Sequence, residues 1–117
     1  MWESFDINAI NTEIGCATKI GFTKFRTFLH IQPFLDNKDQ FISNIWKFLT
    51  VLKNNKAQAI LVLFDDCWHS TYHGGKQPEP VPGIHNSQWV QCPGSITYSQ
   101  QTLQSYVTSI VSNFATN

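Results

Sequence analysis

Six consecutive apolar residues, Ala59-Ile60-Leu61-Val62-Leu63-Phe64, end abruptly at Asp65-Asp66. A short run that is apolar on both alternating faces is the pattern of a parallel strand covered from both sides, and it predicts a strand over residues 59–65. Residues 22–30 read Phe-Thr-Lys-Phe-Arg-Thr-Phe-Leu-His. This density of aromatic and β-branched side chains predicts a second strand upstream of the first. Pro33 is expected to break it. Asn37, with Gln40 three residues later, then offers a capping box to a helix over residues 38–53, whose Phe41, Ile42, Ile45, Phe48, Leu49 and Leu52 recur at helical spacing. The same spacing in Ile7, Ile10, Ile14, Ala17 and Ile20 predicts a helix over residues 6–20, capped by Asp6 and ended by Gly21. Leu103, Tyr106, Val107, Ile110, Val111 and Phe114 predict a third over residues 99–115, with Ser99 as its cap.

Strands separated by single helices imply βαβ crossovers and a parallel sheet, hence an α/β fold. A doubly covered strand needs neighbours on both edges, and a closed eight-unit barrel takes about 250 residues. With 117 residues the chain is expected to hold about two βα units of something larger. Between them and the last helix lies a loop over residues 66–98, which contains four of the five prolines and four of the six glycines. A structureless stretch of that length in a folded domain is expected to carry function.

Eight basic and eight acidic side chains give a net charge of zero. There is no basic field to attract nucleic acid, and no apolar run approaches the roughly 20 residues of a bilayer span, so neither nucleic acid nor membrane is expected as a partner. Met1-Trp2-Glu3-Ser4-Phe5-Asp6 does not look like a signal peptide, and the compartment stays open. The three cysteines, Cys16, Cys67 and Cys92, include no CxxC pair. Cys67 and Cys92 could bridge the loop if their Cβ atoms come within ~4 Å.

In α/β folds ligand groups gather at the carboxyl ends of the strands. Arg26, Phe28 and His30 alternate onto one face of the first strand, with His30 at the rim. A buried arginine there would demand a carboxylate partner, in a catalytic site or in a structural salt bridge. Asp65 and Asp66 close the second strand but point to opposite faces, so one is expected to face a pocket while the other braces the loop. Trp68 beside them suits carbohydrate, whose C–H faces stack on aromatic rings; Trp68 and Trp89 would equally serve to pin the loop. Cys67, His69, His73, His85 and Cys92 match no usual zinc spacing, and Gly74-Gly75-Lys76 lacks the rest of a phosphate loop. No metal or other cofactor is expected.

The run Phe64-Asp65-Asp66-Cys67-Trp68, Gly75-Lys76-Gln77-Pro78, and Pro82-Gly83-Ile84-His85-Asn86-Ser87-Gln88-Trp89-Val90 resembles a group of (β/α)8-barrel glycoside hydrolases. These are the cellulase-like or β-xylanase-like enzymes related to family five. Ile14-Gly15, Gly21-Phe22 and Arg26-Thr27-Phe28-Leu29-His30 resemble their second barrel strand with its preceding helix. The resemblance implies a partial TIM barrel, two βα units with a long third βα loop. It makes Arg26 the support of a nucleophile, and it puts Asp65, Asp66 and Trp68 at the end of the third strand. His85, Asn86, Ser87 and Trp89 would wall the sugar cleft. His30, by its position at the strand's rim and apart from the resemblance, is either a satisfied rim or core histidine or a substrate contact.

Such enzymes use two glutamates, one after an Asn at the end of strand four and one ending strand seven. Here the only glutamates are Glu3, Glu13 and Glu79, and Asn117 falls about where strand four is expected. The implied function is therefore part of a β-glycan hydrolase, with a carbohydrate substrate but no catalytic residues, needing the rest of the barrel for order. The alternatives are a non-catalytic carbohydrate-binding or interaction remnant and a functionless truncated product.

Overall fold

The computed structural model describes residues 1–64, 82–83 and 98–115. The first helix, α1, spans Ile7–Lys19 and begins where the Asp6 carboxylate accepts from the backbone N–H groups of Asn8 and Ala9. It ends in a Schellman turn: Gly21 has φ +98°, its N–H reaches the Thr18 carbonyl, and the Phe22 N–H reaches that of Ala17. Strand β1 follows at Lys24–Phe28, shorter at both ends than residues 22–30.

A short helix, α2, fills Ile31–Asp36, where the sequence suggested only a break at Pro33. Pro33 sits in its first turn, where no intrahelical partner awaits a backbone N–H and the ring's fixed φ suits the helix. Helix α3 spans Lys38–Asn54. Only half of the expected capping box forms: the Asn37 side chain accepts from the Gln40 N–H, but the Gln40 amide donates forward to Asn44 Oδ1 at 2.8 Å.

A second Schellman turn ends α3. The Lys56 N–H reaches the Lys53 carbonyl and the Ala57 N–H that of Leu52, with Lys56 at φ +54°. Strand β2, Gln58–Val62, lies parallel to β1 in the register Lys24↔Gln58 to Phe28↔Val62. Helix α4 spans Gln100–Phe114, and the Ser99 hydroxyl caps it by accepting from Thr102 N–H. The fold is thus mixed α/β, with helices against a two-stranded parallel sheet.

The core lies between one face of this sheet and the helices, gathering Ile10, Ile14, Phe34, Phe41, Ile45, Phe48, Leu52 and Ile110. Two aromatic residues close it. Trp2, ahead of α1, is buried against Phe5, Phe41 and Phe48, and its indole Nε1–H donates to the Phe28 carbonyl at 2.7 Å. Tyr106 of α4 is fully buried, its ring 5.2 Å from Phe34 and 5.7 Å from Phe64.

Contrary to the two-sided covering suggested by residues 59–64, β2 is covered on one face only by the described residues. Ala59 and Leu61 turn toward the core, whereas Ile60 is 61% exposed. The run is apolar throughout because its inner face needs Ala and Leu and its outer face happens to carry Ile and Val, a difference that periodicity alone does not record.

Candidate functional site at the open sheet face

Because β1 and β2 are parallel, both chains leave the sheet at the same end. Phe28 pairs with Val62, and the Leu29 N–H donates to the Val62 carbonyl at 2.8 Å just beyond the last pair. Ligand groups of α/β folds collect at this end. The face away from the helices carries Lys24, Arg26 and Phe28 from β1 beside Gln58, Ile60 and Val62 from β2, since register partners in a parallel pair share a face.

Arg26 is exposed, and its guanidinium carbon lies 5.1 Å from the centroid of the Phe28 ring. The ring face attracts the cation, and the guanidinium carries five N–H donors on a residue that is exposed. The desolvation argument for a buried carboxylate partner falls away, because this arginine stays in water. Two cations, Lys24 and Arg26, and no carboxylate stand on the strands themselves, so the strand residues of this face contribute positive charge. The face can receive a hydroxylated or anionic ligand with an apolar side against Phe28.

His30 does not share that face. The strand alternation stops at Phe28, the backbone turns into α2 with His30 at the N-cap position (φ −118°, ψ 123°), and the residue is only 6% exposed. Asp65, Asp66, Trp68, His85, Asn86 and Trp89 lie outside the described residues, as do the histidines and cysteines of the loop and any Cys67–Cys92 bridge. Cys16, on α1, is an exposed free thiol. Among the described residues no group of three His, Cys, Asp or Glu side chains is placed to hold a metal ion. No described helix is long and apolar enough to cross a membrane.

Trp2 is the residue at this end that sequence reasoning passed over. Its hydrogen bond to Phe28 tethers the segment before α1 to the exit of β1 and brings its chain neighbour Glu3 to the same end of the sheet. Nothing local marks such a contact, which spans 26 positions of sequence. That Arg26 and Phe28 share a face was legible, since residues two apart on a strand do so; that the ring rather than a carboxylate meets the guanidinium was not. Comparison of the chain with protein-family models, with curated proteins and with solved structures yields no match.

Proposed function

We propose that the chain is a portion of a (β/α)8-barrel glycoside hydrolase acting on a β-linked glycan, supplying one wall of the substrate cleft and none of the proton-transfer machinery. The observation that carries this reading is the Arg26–Phe28 pair on the open face near the carboxyl end of a parallel sheet. A sugar offers hydroxyl or ring oxygens to a guanidinium and C–H groups to an aromatic ring, so it can meet Arg26 and whatever part of the exposed Phe28 ring the guanidinium leaves uncovered. Asp65, Asp66, Trp68, His85, Asn86 and Trp89 join the same cleft by the resemblance described above.

In the parent reaction one carboxylate attacks the anomeric carbon while a carboxylic acid about 5 Å away protonates the leaving oxygen, and water then releases the sugar. Arg26 would hold the nucleophile ionised. Glu13 lies on α1 and Glu3 in the segment before it, so the described strands contribute no such pair.

The purified chain is expected to bind β-linked oligosaccharides on a glycan array while turning over no aryl β-glycoside above a heat-killed control. Arg26→Ala should weaken that binding by about 1.5–3 kcal/mol, the range of a hydrogen bond to a charged group. Measurable turnover, or an array without a β-glycan hit, would remove the reading.

A further inference from the structure

The two edges of the sheet differ in charge. β1 carries Lys24 and Arg26, the kind of charged side chains that discourage another strand from pairing with an edge. β2 reads Gln-Ala-Ile-Leu-Val, with no charge at all, and its outer edge has no strand beside it among the described residues. Beside it opens a recess of about 560 Å³ whose walls include Leu49 and Leu52 of α3, Phe114 of α4, and Ala59 and Leu61 at the strand, with the charges of Lys24 and Lys53 at its margin rather than on β2.

The backbone direction follows from the observed bonds. Gln58 N–H donates across to Thr23, and the Val62 carbonyl accepts from Leu29. Gln58, Ile60 and Val62 therefore turn their peptide groups toward β1, and Ala59 and Leu61 turn theirs outward into the recess.

We propose that β2 of a second copy of this chain occupies this edge, antiparallel and centred on Ile60, making a four-stranded sheet in the order β1-β2-β2-β1. In that register the outward groups of Ala59 meet those of Leu61 and exchange N–H···O bonds, while Ile60 meets its own counterpart in the closer, non-hydrogen-bonded position. All five residues of the strand are paired. The outer face then places Ile60 on Ile60 and Gln58 on Val62, with no like charges opposed.

The same symmetric pairing through β1, centred on Arg26, would set arginine against arginine, which is destabilising. A net charge of zero gives the two copies no overall repulsion. The proposal concerns the chain as its 117 residues stand and uses the edge of the sheet rather than the Arg26–Phe28 pair; in a complete barrel the next strand would take this edge, so a dimer of this chain neither supports nor removes the glycan reading.

Sedimentation of the full chain at about 10–100 μM is expected to show a dimer, as suits an interface smaller than the standard size. Ile60→Lys places like charges at the dyad on a side chain already exposed. It should weaken the dimer by about tenfold with an unchanged far-UV spectrum. Arg26→Glu should leave it intact.

With Cys16, Cys67 and Cys92 replaced by serine, Ile60→Cys should crosslink under mild oxidation, because the expected Cα separation of about 4.5 Å suits a disulfide. Gln58→Cys should not crosslink. A monomer throughout that concentration range, a dimer that Ile60→Lys does not weaken, or one lost in Arg26→Glu would overturn the proposal.

Discussion

Lys56 occupies, at φ +54°, the left-handed position that Gly21 occupies at φ +98° in the matching turn. Both residues end a helix and launch a strand, but only one of them lacks the Cβ that makes this conformation costly. Lys56→Gly is therefore expected to stabilise the protein by about 0.5–1 kcal/mol, the relief of strain outweighing the added freedom of the unfolded chain. Gly21→Ala should cost about 1–2 kcal/mol. It meets no neighbour within 4 Å, so the penalty is conformational rather than steric. Thermal melts of the two variants, moving in opposite directions, check the pair. The contrast also explains what was legible. Asp6, Asn37, Ser99 and Gly21 act on groups within a few residues of themselves, and each residue type advertises that role. Lys56 does not, and neither does Pro33, whose tolerance in a first turn depends on a helix that the sequence only weakly signals.

Helix α4 meets the sheet through Tyr106, whose hydroxyl donates to the Leu63 carbonyl at 3.5 Å, just past the end of β2. The bond is long and contributes little; the buried ring, packed between Phe34 and Phe64, is the stronger tie. Burial pushes the phenol well above its ordinary value of 10.0. The folded state therefore holds a proton that the unfolded chain releases from about pH 10 upward, so stability is fully present below that pH and falls above it. The slope should approach about 1.4 kcal/mol per pH unit for this one group. Tyr106→Phe keeps the ring, and urea unfolding at pH 9 and pH 11 should show a smaller alkaline loss in the variant. An equal loss in both proteins would place the sensitivity elsewhere. The amphipathic stripe of α4 identified Tyr106 as a core residue, but the element it docks against could not be read from periodicity.

Across the whole molecule, the core is closed from outside any regular element. Trp2 joins the opening segment to α3 through Phe41 and Phe48 and to β1 through the Phe28 carbonyl. Removing it opens a cavity at that junction. Trp2→Ala should cost about 3–5 kcal/mol, a large share of the roughly 5–15 kcal/mol that holds a domain together. Trp2→Phe retains a ring but not the donor and should cost about 1–3 kcal/mol. Denaturant titrations of the two variants separate packing from hydrogen bonding. The α/β character and the parallel pairing were visible in the order of elements, whereas this closure depends on residues far apart in the chain. The open sheet face was hidden for a related reason: an apolar side chain such as Ile60 carries no mark of whether water or a helix will meet it. The parallel register has a last consequence, in time rather than in space. Partners such as Lys24 and Gln58 stand 34 positions apart, and closing a segment of that length costs about 3 kcal/mol of chain entropy before the first strand bond forms. Helix α3 needs only neighbours in sequence. The sheet is thus expected to assemble after α3 has begun to form, which leaves the uncharged β2 strand with both edges unclaimed in the early stage of folding.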